Sequence, residues 1–69
     1  MYTIVTEVVK HNRIEGTESL TYCVWVGKNP DDNHPKYSYP GIKKEEKARG
    51  LADKIHQDQK TLDILWISA

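Results

Sequence analysis

The sequence predicts a small α+β domain with element order β-β-α-β, a three-stranded antiparallel sheet of order 2-1-3 with one helix packed on one face. Three observations lead there. Tyr2–Lys10, Leu20–Gly27 and Leu62–Ile67 are rich in β-branched, aromatic and aliphatic residues, as strands are. Lys43–Lys60 instead places Ala48, Leu51, Ala52 and Ile55 at helical spacing. The chain has 69 residues, enough for one domain over residues 1–69. A domain of this size buries only about 60% of the surface its unfolded chain exposes, and is marginal without a staple or a partner.

Taken in order, the first strand leads into His11–Ser19, where Asn12 and Gly16 are turn residues. A hairpin is expected, with its reversal near Glu15–Thr17. The second strand follows at Leu20–Gly27. Lys28–Gly41 holds all three prolines, Pro30, Pro35 and Pro40, and reads as one long irregular loop. Loops of that length in compact domains are usually functional or disordered, and Tyr37 and Tyr39 argue for partial order. In the helix, Glu45 and Glu46 sit in the first turn, where they favour the helix dipole. Gly50 either marks a close approach to the sheet or is tolerated at about 1 kcal/mol relative to Ala. The last strand ends the sequence. A hairpin followed by a helical crossover sets this strand parallel to the second, with the first strand in the centre, antiparallel to both.

Each predicted strand is apolar on both faces. Alternate side chains point to opposite sides of a sheet, and one helix covers one side only. The favoured assignment puts Ile4, Val8, Tyr22, Val24, Val26, Ile64 and Trp66 under the helix. It leaves Val5, Val9, Cys23, Trp25, Leu65 and Ile67 on the open side. A contiguous exposed apolar patch marks an interaction surface, and Trp and Tyr are the usual anchors of one. The expected partner-binding set is therefore Val5, Val9, Trp25, Leu65 and Ile67, helped by Tyr37 and Tyr39 from the loop. The competing reading is that the loop folds over this face and makes an ordinary core.

Other chemistry is poorly represented. Cys23 is the only cysteine, so no intrachain disulfide can form, and a reducing, cytoplasmic location is expected. Nothing in the sequence reads as a signal peptide or a transmembrane helix. Asp31-Asp32-Asn33-His34 lacks the glycine and terminal glutamate of an EF-hand, and no cysteine pair offers a zinc site. Neither a metal nor a cofactor is expected. Cys23 lies mid-strand, with nothing to lower its thiol pKa. No serine elbow, phosphate loop or meaningful carboxylate pair is visible, so an enzyme is not expected.

Formal net charge is zero, which disfavours general polyanion binding. The charge is mildly uneven: residues 1–35 carry three basic and five acidic groups, residues 36–69 seven and five. The nucleic-acid reading rests on Lys43, Lys44, Lys47 and Arg49 of the predicted helix, with Tyr37 and Tyr39 nearby. Against it, Glu45, Glu46, Asp53 and Asp58 interleave with the bases, the usual composition of a solvated helix face.

The expected function is a small, non-catalytic protein-interaction domain with a protein partner or, as a homodimer, a second copy of itself. Its size and lack of motifs fit phage or mobile-element accessory proteins, which inhibit a host complex by binding its surface. The alternative is a small nucleic-acid-associated regulator using the lysine-rich helix.

Overall fold

The computed structural model describes residues 1–69 and forms one sheet with a single helix. β1 (Tyr2–Asn12) and β2 (Thr17–Gly27) make an antiparallel hairpin. β3 (Tyr37–Ile42) joins the outer side of β2, also antiparallel. α1 (Glu45–Gln59) then carries the chain across the sheet to β4 (Ile64–Ile67), which lies parallel to β1. The strand order is β3-β2-β1-β4.

The sheet is therefore four-stranded and mixed, in place of the three-stranded antiparallel sheet expected from the sequence. The 2-1-last order of the expected strands is kept, but the last strand runs the other way. One cause accounts for both differences. The stretch that reads as a loop contains β3, and each added antiparallel strand reverses the chain once more. The crossover thus starts from β3, not β2, and delivers β4 parallel to β1.

β3 is an edge strand, the one place in a sheet where a proline costs little, because one side of its backbone has no ladder to complete. Pro40 and Gly41 together oppose the single residue Cys23, since Tyr39 pairs with Val24 and Ile42 with Tyr22. Gly41 has φ +77°, as the extra residue of a bulge can require.

The hairpin turn spans Arg13–Gly16. The Asn12 side-chain oxygen accepts the N–H groups of Ile14 (3.0 Å) and Glu15 (3.2 Å). Gly16 closes the turn at φ +64°, where a Cβ would be strained. This centre, between Ile14 and Glu15, pairs even-numbered residues of β1 with odd-numbered residues of β2: Ile4 faces Trp25 and Val5 faces Val24. A reversal centred on Gly16 would pair even with even. A one-residue slip moves every side chain of a strand to the other face, so the faces of β1 are the reverse of those expected.

Val5 belongs to the helix side, where it joins Tyr22, Val24, Val26, Ala48, Ala52 and Ile55 in the core. Ile42, Leu51, Ile64 and Trp66 pack around that cluster. The small side chains of Ala48 and Ala52, both fully buried, let the helix lie close to the sheet. Gly50 plays no such part: no neighbouring atom comes within 4 Å of where its Cβ would stand. Beneath the C-terminal end of the helix, Thr3 and Thr61, both buried, bring their hydroxyls to 2.8 Å, and His56 Nδ1 lies 2.5 Å from Thr61 Oγ1.

β4 pairs only with Thr3–Thr6, and β3 only with Tyr22–Val26. Beyond these residues the hairpin runs on as a two-stranded arm of about 20 Å, at roughly 3.3 Å per residue. The arm accounts for the long dimension of the molecule, 42 Å against 24 and 16 Å. Val9 and Leu20 face each other on it and are 41% exposed, and Ile14 at the turn is 98% exposed.

Candidate functional site

The face opposite the helix is formed by Tyr2, Ile4, Thr6 and Val8 of β1, Cys23 and Trp25 of β2, Ser38 of β3, and Leu65 and Ile67 of β4, as the register and the alternation of side chains require. No charged residue lies on this face of the paired region. Lys10 is the first one met along the arm.

Trp25 organises the face. Its indole N–H donates to Thr6 Oγ1 at 3.0 Å, and the far edge of the ring rests against Gly27. A Cβ on Gly27 would stand 2.5 Å from the ring carbon Cζ3 and 3.2 Å from the Asp32 Cβ. The indole is thereby fixed along the sheet. Ile4, between its register partners Trp25 and Leu65, is fully buried although no helix covers it. Trp25, Leu65, Ile67, Cys23 and Tyr2 remain half-buried. Because the polar atom of the indole is satisfied within the chain, what it offers outward is an apolar ring.

The loop after β2 reaches the margin of this face at Asp32, beside Gly27 and the Trp25 ring. The Asp32 carboxylate accepts the N–H groups of Lys28 and His34, both at 2.9 Å. Those two bonds, Lys28 first, hold its carboxyl below the usual carboxylate range. Asn29 accepts the Asp31 N–H through its side chain, and Lys36 N–H donates to the Val26 carbonyl at 2.8 Å, starting the β2–β3 ladder. Tyr37 and Tyr39, opposite Val26 and Val24, point to the helix side. They neither cover the open face nor belong to it. Ser38 does belong to it, 3.6 Å from the Cys23 sulfur.

On the helix side, the charges that interleave in the sequence separate into two flanks. On the β4 flank, the Arg49 guanidinium lies 4.9 Å over the Trp66 ring and 3.4 Å from the Glu45 carboxylate. Trp66 also packs against Tyr22 (ring centroids 5.6 Å apart) and donates its indole N–H to Glu7 at 2.6 Å. On the β3 flank, Gly41, Ile42, Lys43, Lys44, Lys47 and Leu51 line a cleft of about 430 Å³.

Of the expected interaction residues, the structure places Trp25, Leu65 and Ile67 together on the open face. Val5 is fully buried in the core, and Val9 stands on the helix side of the arm, so neither belongs there. The open face has in their place Ile4 and Val8, which were expected under the helix. Of the residues expected to meet nucleic acid, Lys43, Lys44 and Lys47 share one cleft, whereas Arg49 lies on the opposite flank with its cation engaged. Thr6 and Gly27, which fix the indole, carry no sequence signal of their own. They become visible only once the hairpin register is known.

No three His, Cys, Asp or Glu side chains converge as metal ligands, and no helix is long and apolar enough to cross a membrane. Comparison with protein-family models, with curated proteins and with solved structures gives no match.

Proposed function

We propose that this chain is a non-catalytic protein-interaction domain that works through the helix-free face of its sheet. The observation that carries the proposal is Trp25, a large ring with its polar atom already bonded to Thr6, lying half-buried on a paired sheet face whose own strand residues carry no charge. Desolvating such a face leaves no indole N–H unpaired, and a fixed side chain loses little entropy on binding. The matching partner surface is flat and, opposite the four-stranded part, apolar.

A second copy of the chain has that chemistry. Two such sheets stack about 10 Å apart in an isologous pair, and a chain of zero net charge does not repel its copy at long range. Size also points to the whole face being used. At about 4.8 Å between strands and about 3.3 Å per residue, the four-stranded part covers roughly 300 Å² in plan and the arm roughly 200 Å² more. Only together do they approach the ~800 Å² of accessible surface that each side of a standard interface buries. Binding a host protein in the manner of an inhibitory accessory protein would use the same face.

Sedimentation equilibrium from micromolar to near-millimolar concentration tests the proposal. The expected result is reversible association that Trp25→Arg and Val8→Asp each abolish, with the helical circular-dichroism signal retained. A monomer throughout the range, or association that both variants leave intact, overturns it. Val8 is 37% exposed, so its variant keeps the test decisive should Trp25→Arg unfold the chain.

A further inference from the structure

We propose that the groove between β3 and α1 binds a short acidic, amphipathic peptide segment of another protein. The groove is the cleft lined by Lys43, Lys44 and Lys47, continued past Leu51 by a second one of about 280 Å³ along Tyr37, Tyr39, Lys54 and Ile55. Leu51 belongs to both clefts, so they run together beside the helix. The floor is apolar, from Ile42, Leu51, Ile55 and the two tyrosines, and Tyr37 and Tyr39 are 37% and 44% exposed.

The rim is cationic. Lys43, Lys44, Lys47 and Lys54 stand along it against one carboxylate, Asp58. The ion pairs of the structure are His11–Glu18 and Arg49–Glu45, so none of these four lysines has a partner. A further ammonium, that of Lys36, lies 5.9 Å from the Tyr37 ring.

The helix produces this asymmetry from a sequence that looks evenly mixed. At 3.6 residues per turn, Lys47, Leu51, Lys54 and Asp58 fall on the flank beside β3, and Glu45, Arg49 and Asp53 on the flank beside β4. The only cation of the second group is engaged by Glu45 and Trp66. An apolar trough edged by unpaired cations is complementary to a segment whose apolar side chains enter the trough while its carboxylates meet the rim. This is the pattern of groove recognition of amphipathic peptides, with charge complementarity fixing which peptides are accepted.

Two features favour a peptide over a single-stranded nucleic acid. Much of the floor is aliphatic, which suits leucine- or isoleucine-like side chains better than stacked bases. The cation excess is also local, in a chain of zero net charge that lacks the broad field a polyanion binder uses. The groove lies on the side of the sheet away from Trp25, so it stands or falls independently of the face proposed above.

Panning a displayed library of random peptides on the immobilised chain tests the proposal. A length of about ten residues suffices, because a segment that long outspans the ~22 Å helix when extended. Selected peptides are then measured by fluorescence anisotropy beside an oligothymidylate of similar length. Enriched sequences should carry Asp or Glu next to large apolar residues. Their affinity should fall at least about tenfold in the Lys43→Glu/Lys47→Glu/Lys54→Glu variant and in Tyr39→Ala, and stay unchanged in Trp25→Arg. All three lysines are exposed, and the helical signal of the charge-reversed variant checks that it is folded. The proposal is overturned if no sequence is enriched, if the charge-reversed variant binds the selected peptides equally well, or if oligothymidylate binds more tightly and with steep salt dependence, which assigns the groove to nucleic acid.

Discussion

The two tryptophans occupy opposite faces of one sheet, and the difference between them separates what holds this fold from what the fold presents. Both donate the indole N–H within the chain, Trp66 to Glu7 and Trp25 to Thr6. The Trp66 ring is engaged within the chain, with Tyr22 against it and the Arg49 guanidinium over it. The Trp25 ring covers Ile4 on its inner side and has no helix on its outer side. A buried polar atom needs a partner in both settings. Both rings stay half-buried, but that of Trp25 lies on the face without a helix, among the apolar side chains of Tyr2, Ile4 and Leu65.

Two valines of β1 give the sharpest way to break this contrast. Val5 is fully buried under the helix, and Val8 is 37% exposed on the other face. Val5→Asp places a carboxylate among Tyr22, Val24 and Ala52 with no partner, and an unpaired buried charge costs more than about 4 kcal/mol. At roughly 0.05–0.15 kcal/mol per residue, that is comparable to the whole stability of a domain this small. Val5→Asp is therefore expected to be unfolded by circular dichroism. Val8→Asp should stay folded, losing about 1 kcal/mol or less in urea denaturation through its lower strand propensity. Equal losses in the two variants would mean that the sheet has no open face.

The tryptophans themselves come next in size. Trp66→Ala removes a ring packed on Tyr22 and leaves the Arg49 cation uncovered, a loss of about 3 kcal/mol by analogy with large-to-small substitutions in cores. Trp25→Ala uncovers Ile4 on one side only, and about 1–2 kcal/mol is expected. The same urea titrations read both values. The order of the two losses is the informative result, because a larger loss for Trp25 would place it in the core and Trp66 on the periphery.

The hairpin, the helix and the last strand were legible in the sequence because each has its own period: two along Leu20–Val26, nearly four along Ala48–Ile55. What was not legible followed from two small features. Pro40 and Gly41 read as breakers of a strand, yet at a sheet edge they form a bulge, and that hidden strand decides the direction of β4. The hairpin turn is centred one and a half residues before Gly16, and that offset decides which β1 side chains share a face with Trp25. The signal was present in the spacing of Asn12 and Gly16, whose side-chain acceptor and positive φ bracket a four-residue turn. The β3–α1 groove was legible only as its parts. Tyr37, Tyr39 and the lysines come from different elements, and the helical period that sorts the charges onto two flanks acts only once β3 is known to lie on one side of the helix.

The smallest expected effect lies at the margin of the open face. Asp32 holds the turn beside Gly27 by accepting the N–H groups of Lys28 and His34, and these bonds lower its pKa in the folded chain. A carboxylate with a lowered folded pKa contributes fully above its unfolded value, near 3.9. It loses that contribution as the pH falls through the lower folded value. The Lys28 and His34 amide resonances should therefore move together below about pH 4. In Asp32→Asn that joint movement should be absent, and the Trp25 indole N–H signal should be unchanged in both proteins, since the Asp32 carboxylate bonds only its own turn. A Trp25 signal that titrates with Asp32 would instead tie the loop to the open face, and pH would then tune how that face is presented.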